Sequence, residues 1–209
     1  MDTIESLRWR YACKKFDENK TLSDEQIERL CEAFNLTATS FGLQPIKLLV
    51  IQDKALRKEL VAHSFNQKQV YNASHLFVLC IQDQFTEKDI DAYFDLEIKV
   101  RDTSETVLAP FRKQVKSIFS GKSTSDKHIT AINQAYIALG NLMAICAMEK
   151  IDSCPMEGFQ PDKYDEVLGL KDRNLKSVLL LPVGIRAADD FMSRLEKVRK
   201  PIDQSVIKL

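Results

Sequence analysis

An α+β fold with dominant helices and few strands is predicted by three features of this 209-residue chain. Three short apolar runs, IKLLVIQ at 46–52, HLFVLCIQ at 75–82 and SVLLLPVGI at 177–185, have the length and composition of buried strands. Helical spacing of apolar residues dominates elsewhere, beginning with Ile27, Leu30, Cys31 and Phe34. Residues 125–149 are apolar on nearly every side, which places that helix at the core centre or in a subunit interface.

The remaining elements follow in chain order. Residues 2–10 read as a short helix. RYACKKFD, 10–17, then breaks the period. Ser23 with Gln26 has the form of a capping box and opens the second helix. TATSFGLQP, 37–45, is a polar loop with Gly42 and Pro45 as turn residues. Asp53 caps a helix over 54–62, and a loop around Asn66 precedes the second strand. Residues 86–120 are charged, weakly periodic and interrupted by Pro110, which predicts one or two exposed helices. IDSCPMEGF, 151–159, is a short strand running into a turn, with a small helix near 161–168. Pro182 cannot donate to a ladder, so the third strand is expected to lie at an edge or carry a bulge there. The charged tail, 189–209, reads as extended.

The length fits one domain over 1–209. Thirty basic residues cancel thirty acidic ones, so no overall positive field exists to hold nucleic acid or an anionic membrane. Met1 is followed by Asp2 and Glu5 without an apolar run, and no segment supplies the roughly 20 apolar residues of a membrane span. Five cysteines, an odd number without CxxC spacing, imply free thiols in a reducing compartment, and a cytoplasmic protein is expected. The three histidines, 63, 75 and 128, lack metal-ligand spacing, so no metal is expected. With six glycines and neither GxGxxG nor a P-loop, a bound phosphate would have to be held by side chains or a helix start.

Two basic clusters, Arg8, Arg10, Lys14 and Lys15 near the start and Lys197, Arg199 and Lys200 in the tail, could converge on one phosphate. Solvated surface charge is the commoner outcome for such residues. Pro155, Met156, Glu157 and Gly158 form a turn whose glycine would let a flat ligand approach the backbone, or a plain turn. Gln44 and Asn66 are amides suited to a heterocycle edge, though loop amides are common. Phe41 and Phe119 could be lids of a substrate pocket or packing residues, and Cys13 and Cys154 read as structural.

Taken together, these segments resemble the nitroreductase family. The resemblance is carried by Arg10-Tyr11-Ala12-Cys13-Lys14-Lys15-Phe16-Asp17, by Ala38-Thr39-Ser40 with Gln44-Pro45, and by Asn66 ahead of Asn72-Ala73-Ser74-His75. It continues through Gln134 to Asn141, Asp152 to Phe159, and Lys197 with Arg199 before Pro201; only 85–124 matches poorly. The resemblance implies a mainly antiparallel sheet flanked by helices, a long central helix at a homodimer interface, and a C-terminal arm from about 189 exchanged between subunits. It also implies FMN bound between the two chains, NAD(P)H as hydride donor, and small-molecule acceptors such as nitroaromatics and quinones, reduced by a ping-pong mechanism. A narrower enal, pteridine or quinone reductase, or a non-catalytic FMN-binding module, would share the fold.

Carried over residue by residue, Arg10, Lys14, Lys197 and Arg199 resemble the phosphate and ribityl contacts, and Tyr11 and Ala12 would supply backbone contacts. Thr39, Ser40 and Gln44 resemble the contacts from the partner subunit, and Asn66 the amide at the pyrimidine edge. Pro155 to Gly158 would lie along one ring face. Lys14, Glu157 and Gly158 would tune the flavin, and no nucleophile or essential acid–base residue is expected. Ala12, Gln69, Phe41-Gly42 and Lys150 depart from the commonest family pattern.

Overall fold

The three apolar runs and residues 152–153 form a four-stranded antiparallel sheet in a computed structural model that describes residues 2–209. Strand β1 (Ile46–Ile51) pairs with β2 (His75–Gln82), β2 with β4 (Leu175–Gly184), and β4 with the two-residue β3 (Asp152–Ser153), in the order β1-β2-β4-β3. The helices are α1 (Thr3–Trp9), α2 (Asp24–Asn35), α3 (Lys54–Ala62), α4 (Gln69–Asn72), α5 (Glu87–Arg101), α6 (Glu105–Ser120), α7 (Thr124–Met148), α8 (Pro161–Val167) and α9 (Ile202–Ser205).

Local chemistry sets several boundaries as expected. Ser23 and Gln26 satisfy each other's backbone N–H groups at the start of α2. Asp53 accepts from the N–H groups of Ala55 (2.7 Å) and Leu56 (3.2 Å) at the start of α3.

The sheet is covered on both faces. Phe77, Leu79, Ile81, Leu179, Leu181 and Val183 pack with Ala131, Ala135, Ala138, Leu142 and Cys146 of α7 and with Leu30 of α2. The alternate residues Leu76, Val78, Cys80 and Leu180 pack on the other side with Leu60, Val70, Phe159 and Tyr164. This is the period of two that a sheet buried on both faces requires.

Four expectations change. β1 is not a buried strand: it is an edge, its central residues are open, and Val50 is 39% exposed. An apolar run reports hydrophobicity, not which neighbours the topology supplies. Pro182 lies within the interior strand β4, opposite Leu76, and the only ladder irregularity between β2 and β4 falls at Leu79/Cys80. Its missing donor faces the segment after β3, where Cys154 N donates to Pro182 O (3.0 Å) and the ladder is interrupted. Residues 86–120 are two helices that bury their own aromatic cluster of Phe85, Ile90, Phe94, Val115 and Phe119 with Leu43. The basic residues of α6 pair with the acids of α5, Arg112 with Asp91 and Asp95 and Lys116 with Asp91, and Arg112 also pairs with Glu105 of its own helix. Finally, α7 is long and apolar enough to cross a membrane by length and composition, against the expectation that no segment is.

α7 is buried along one side only. Ala131, Gln134, Ala135, Ala138, Leu139, Leu142 and Cys146 face the core. Ile129, Asn133, Tyr136, Ile137 and Gly140 recur at steps of three or four and remain exposed as one stripe. After β4 the chain makes a short turn at Phe191–Arg194 and then extends, with only the single turn of α9.

Candidate active site

The stretch 10–17 is held between two others. Ala12 bridges Ser153, and Cys13 N donates to Ser153 O (3.1 Å). On the opposite side Asp17 N donates to Ile185 O (2.8 Å) and Ala187 N to Lys15 O (2.9 Å). Asp190, 1% exposed, closes the arrangement. Its Oδ2 accepts from Tyr11 Oη (3.0 Å), Lys14 N (3.0 Å) and Lys15 N (3.3 Å), and its Oδ1 from Met192 N (3.2 Å). Burial alone would raise the Asp190 pKa, but these bonds outweigh it and hold the carboxyl below its usual range. The stabilisation is therefore complete above the unfolded carboxylate range and is lost as pH falls through the folded value. Asp190→Asn is expected to lower stability at pH 7 by about 2 kcal/mol and to flatten the loss of stability toward acid. Urea midpoints at neutral and acid pH, compared between wild type and variant, measure both; parallel pH profiles would remove Asp190 from this role.

Asp190 pins the start of the tail, and the tail then crosses over Arg10. Lys197 Nζ donates to Arg10 O, and Arg10, Tyr11, Ala12, Leu195, Lys197 and Arg199 line a cleft of about 390 Å³. The two basic clusters thus converge. Burial lowers the Arg10 pKa, and Arg199 lowers it further. Burial followed by Arg10 and Arg199 lowers that of Lys197. Arg10 Nε is buried without a hydrogen-bond partner, and no ion pair among the described residues neutralises Arg10, Lys197 or Arg199. Clustered cations of this kind suit an anion of more than one charge.

A second group of side chains lies on the same stretch. Lys14 Nζ donates to Cys154 Sγ (3.7 Å), and Gln69 Nε2 reaches the same sulfur at 4.0 Å. Gln69 Nε2 also donates to Gln67 Oε1 (3.0 Å), and Gln67 Nε2 donates to Gly158 O (2.9 Å). Glu157 is held from the other side by Tyr136 of α7, whose hydroxyl donates to Glu157 Oε1 (2.9 Å). Lys14, the turn from Pro155 to Gly158, and the loop carrying Asn66 (φ 59°) are therefore neighbours. The backbone N–H groups of Glu157 and Gly158 make no hydrogen bond among the described residues, whereas Met156 N and Phe159 N are satisfied by Leu180 O and Glu157 O. A Cβ on Gly158 would sit 2.9 Å from Gln67 Nε2. Burial raises both the Cys13 and Cys154 pKa values, with Lys14 offsetting part of the rise at Cys154.

Thr39, Ser40 and Gln44 stand apart from these groups. Gln44 Nε2 donates to Asn35 O (2.9 Å) and Ser40 N to Gln134 Oε1 of α7 (2.8 Å). No hydrogen bond among the described residues joins them to Arg10 or Lys14. Phe41 has a left-handed backbone (φ 56°) and is 38% exposed. Its ring lies 6.2 Å from Phe111 and 6.4 Å from Phe119. Phe119 is buried, so the open aromatic surface belongs to Phe41 and Phe111. Gly42 is required by that turn: its φ is 72°, and a Cβ would lie 2.6 Å from Tyr93 Oη.

Sequence reasoning missed Gln67 and Asp190. Asp190 and the Gln67 amide reach partners distant in sequence, and an aspartate beside Asp189 in a charged tail carries no pattern that separates it from surface charge.

The chain is similar to known proteins over most of its length. The pattern described as the Nitroreductase family covers residues 7–185. A provisionally named NAD(P)H nitroreductase of Staphylococcus aureus is 36% identical over 178 residues, covering 80% of this chain and 77% of that protein. The oxygen-insensitive NAD(P)H nitroreductase of Salmonella typhimurium is 27% identical across the whole of both chains. Among solved structures, a provisionally named nitroreductase of Exiguobacterium sibiricum in complex with FMN has a TM-score of 0.83 at 22% identity, covering 100% of this chain and 98% of that one. With most of its length matched by the family pattern and by a relative well above 30% identity, this chain belongs to the nitroreductase family.

Proposed function

We propose that this nitroreductase-family oxidoreductase uses FMN, takes reducing equivalents from NAD(P)H, and passes them to flat conjugated acceptors such as nitroaromatics and quinones. The observation that carries the reading is the cleft of Arg10, Lys197 and Arg199, three cations that have no carboxylate partner among the described residues, with one buried nitrogen unsatisfied there. A phosphate monoester carrying nearly two negative charges fits that deficit. FMN, when bound, supplies the ring that accepts and donates hydride.

The protein's own groups divide the remaining work. Arg10, Lys197 and Arg199 hold the phosphate. Lys14 lies further along the same stretch and places positive charge beside the ring, favouring an anionic form. The free backbone N–H groups of Glu157 and Gly158 supply donors at the ring edge, and Asn66 supplies an amide. Phe41 and Phe111 form an apolar wall for a planar substrate. Donor and acceptor use one open pocket in turn, which is the ping-pong order.

The working unit is a homodimer. Tyr136 of the exposed stripe of α7 holds Glu157, and the buried Gln134 of the same helix holds Ser40, so a second copy packed on the stripe would bring Thr39, Ser40 and Gln44 toward the other chain's cofactor. The tail exposes Leu195, Val198, Ile202, Ile207 and Leu209, while β1 offers an unpaired edge beside a groove of about 710 Å³. The arm of one subunit covers that edge in the other.

An anaerobic absorbance spectrum of the purified protein with FMN, before and after NADPH and then NADH, tests the assignment. Bleaching of the flavin band by either donor is expected. A bound flavin that stays oxidised with both would reduce the protein to a binding module, and no bound flavin would overturn the cofactor assignment.

A further inference from the structure

Arg10 is supported by a residue outside the cleft. Arg186 follows β4, and its guanidinium carbon lies 4.2 Å from the centroid of the Trp9 ring and 4.5 Å from that of Tyr11. These two aromatic residues flank Arg10. The guanidinium is itself fixed: Arg186 Nε donates to Asp152 Oδ1 (2.7 Å), Arg186 N donates to Asp152 Oδ2 (2.8 Å), and Asp152 is buried. Tyr11 is held a second time through its hydroxyl on Asp190.

Arg10 ends α1 with extended backbone, φ −69° and ψ 143°. Neighbouring side chains on extended backbone point to opposite sides. Holding residues 9 and 11 against Arg186 therefore directs residue 10 the other way, toward Lys197 and Arg199 in the cleft. That direction is electrostatically uphill in the absence of an anion, because Arg199 and Lys197 repel Arg10. A long arginine side chain also has considerable rotamer freedom to lose. The stack supplies the opposing force, and Asp152 neutralises Arg186 so that the support adds no further repulsion.

We propose that Arg186 is a positioning residue for the phosphate site, acting through Trp9 and Tyr11 to pre-organise Arg10. The inference rests on the FMN reading, and its test separates the two. Arg186→Lys keeps a cation for Asp152 but cannot lie flat against two rings. Trp9→Leu removes one ring and leaves the ion pair intact. The flavin-free proteins are titrated with FMN and with riboflavin, which lacks the phosphate, following flavin fluorescence. Each substitution is expected to weaken FMN binding about tenfold, leave riboflavin binding unchanged, and have no further effect when Arg10 is already alanine. Unchanged FMN affinity in both variants, equal losses for FMN and riboflavin, or a full loss persisting in the Arg10→Ala background would each overturn the positioning role. Wild-type protein that binds neither flavin would overturn the cofactor reading itself, and this inference with it.

Discussion

Arg10→Ala and Arg199→Ala are each expected to weaken FMN binding by about 10- to 100-fold, the equivalent of losing charge-assisted hydrogen bonds of about 1.5–3 kcal/mol. The flavin-free protein should not lose stability in return. Arg10 and Arg199 repel each other across the cleft, and Arg10 carries an unsatisfied buried nitrogen, so removing either relieves a cost rather than breaking a bond that the fold relies on. FMN titration and thermal unfolding of the flavin-free protein, run on the same preparations, read the two effects separately. Added salt should narrow the gap between wild type and variants, because part of the attraction is screened. Unaltered FMN affinity in both variants would sink the phosphate assignment, whatever happened to activity.

Truncation after Arg194 is expected to give a colourless protein that no longer forms a stable dimer. The cut removes Lys197 and Arg199 from the cleft and takes away Leu195, Val198, Ile202, Ile207 and Leu209, all at least 60% exposed in the isolated chain. Each such side chain would contribute about 1.5–3 kcal/mol if fully buried against a partner. Asp190 stays in place, so the anchoring of residues 11–15 is retained and the loss is not a general unfolding. A shorter cut, after Lys200, keeps both tail cations and should weaken the dimer while retaining more of the phosphate contact. Light scattering on a sizing column with flavin absorbance recorded in line distinguishes the two truncations. A stable yellow dimer from the longer truncation would show that the tail neither reaches a partner nor holds the cofactor.

The division between flexible specificity and fixed chemistry is visible in the same geometry. The stretch proposed to hold the cofactor is backbone stitched between β3 and residues 185–187, with Asp190 satisfying its donors. The proposed acceptor wall is the aromatic cluster of α5 and α6 with Phe41 on a left-handed turn. That cluster packs within itself rather than on the sheet, so its substitutions can alter acceptor choice with little effect on the sheet's core.

Much of this was legible in the residues alone. The strands β2 and β4, the capping box of α2, the Asp53 cap and the helix over 124–148 follow from apolar period and from hydrogen-bonding side chains placed next to free backbone donors, both of which are local. The family resemblance points to Arg10, Lys14, Lys197 and Arg199 from the residues alone. Only the tertiary structure decided that β1 is an edge, that Pro182 sits inside the sheet opposite an interrupted ladder, and that α5 and α6 bury a cluster of their own. It alone brought residue 10 under residue 197, and placed Arg186, Asp152, Asp190 and Gln67 around the site. The reason is physical: periodicity records which side of an element avoids water, whereas a site is made where distant elements meet, and no residue's own sequence neighbours record that meeting.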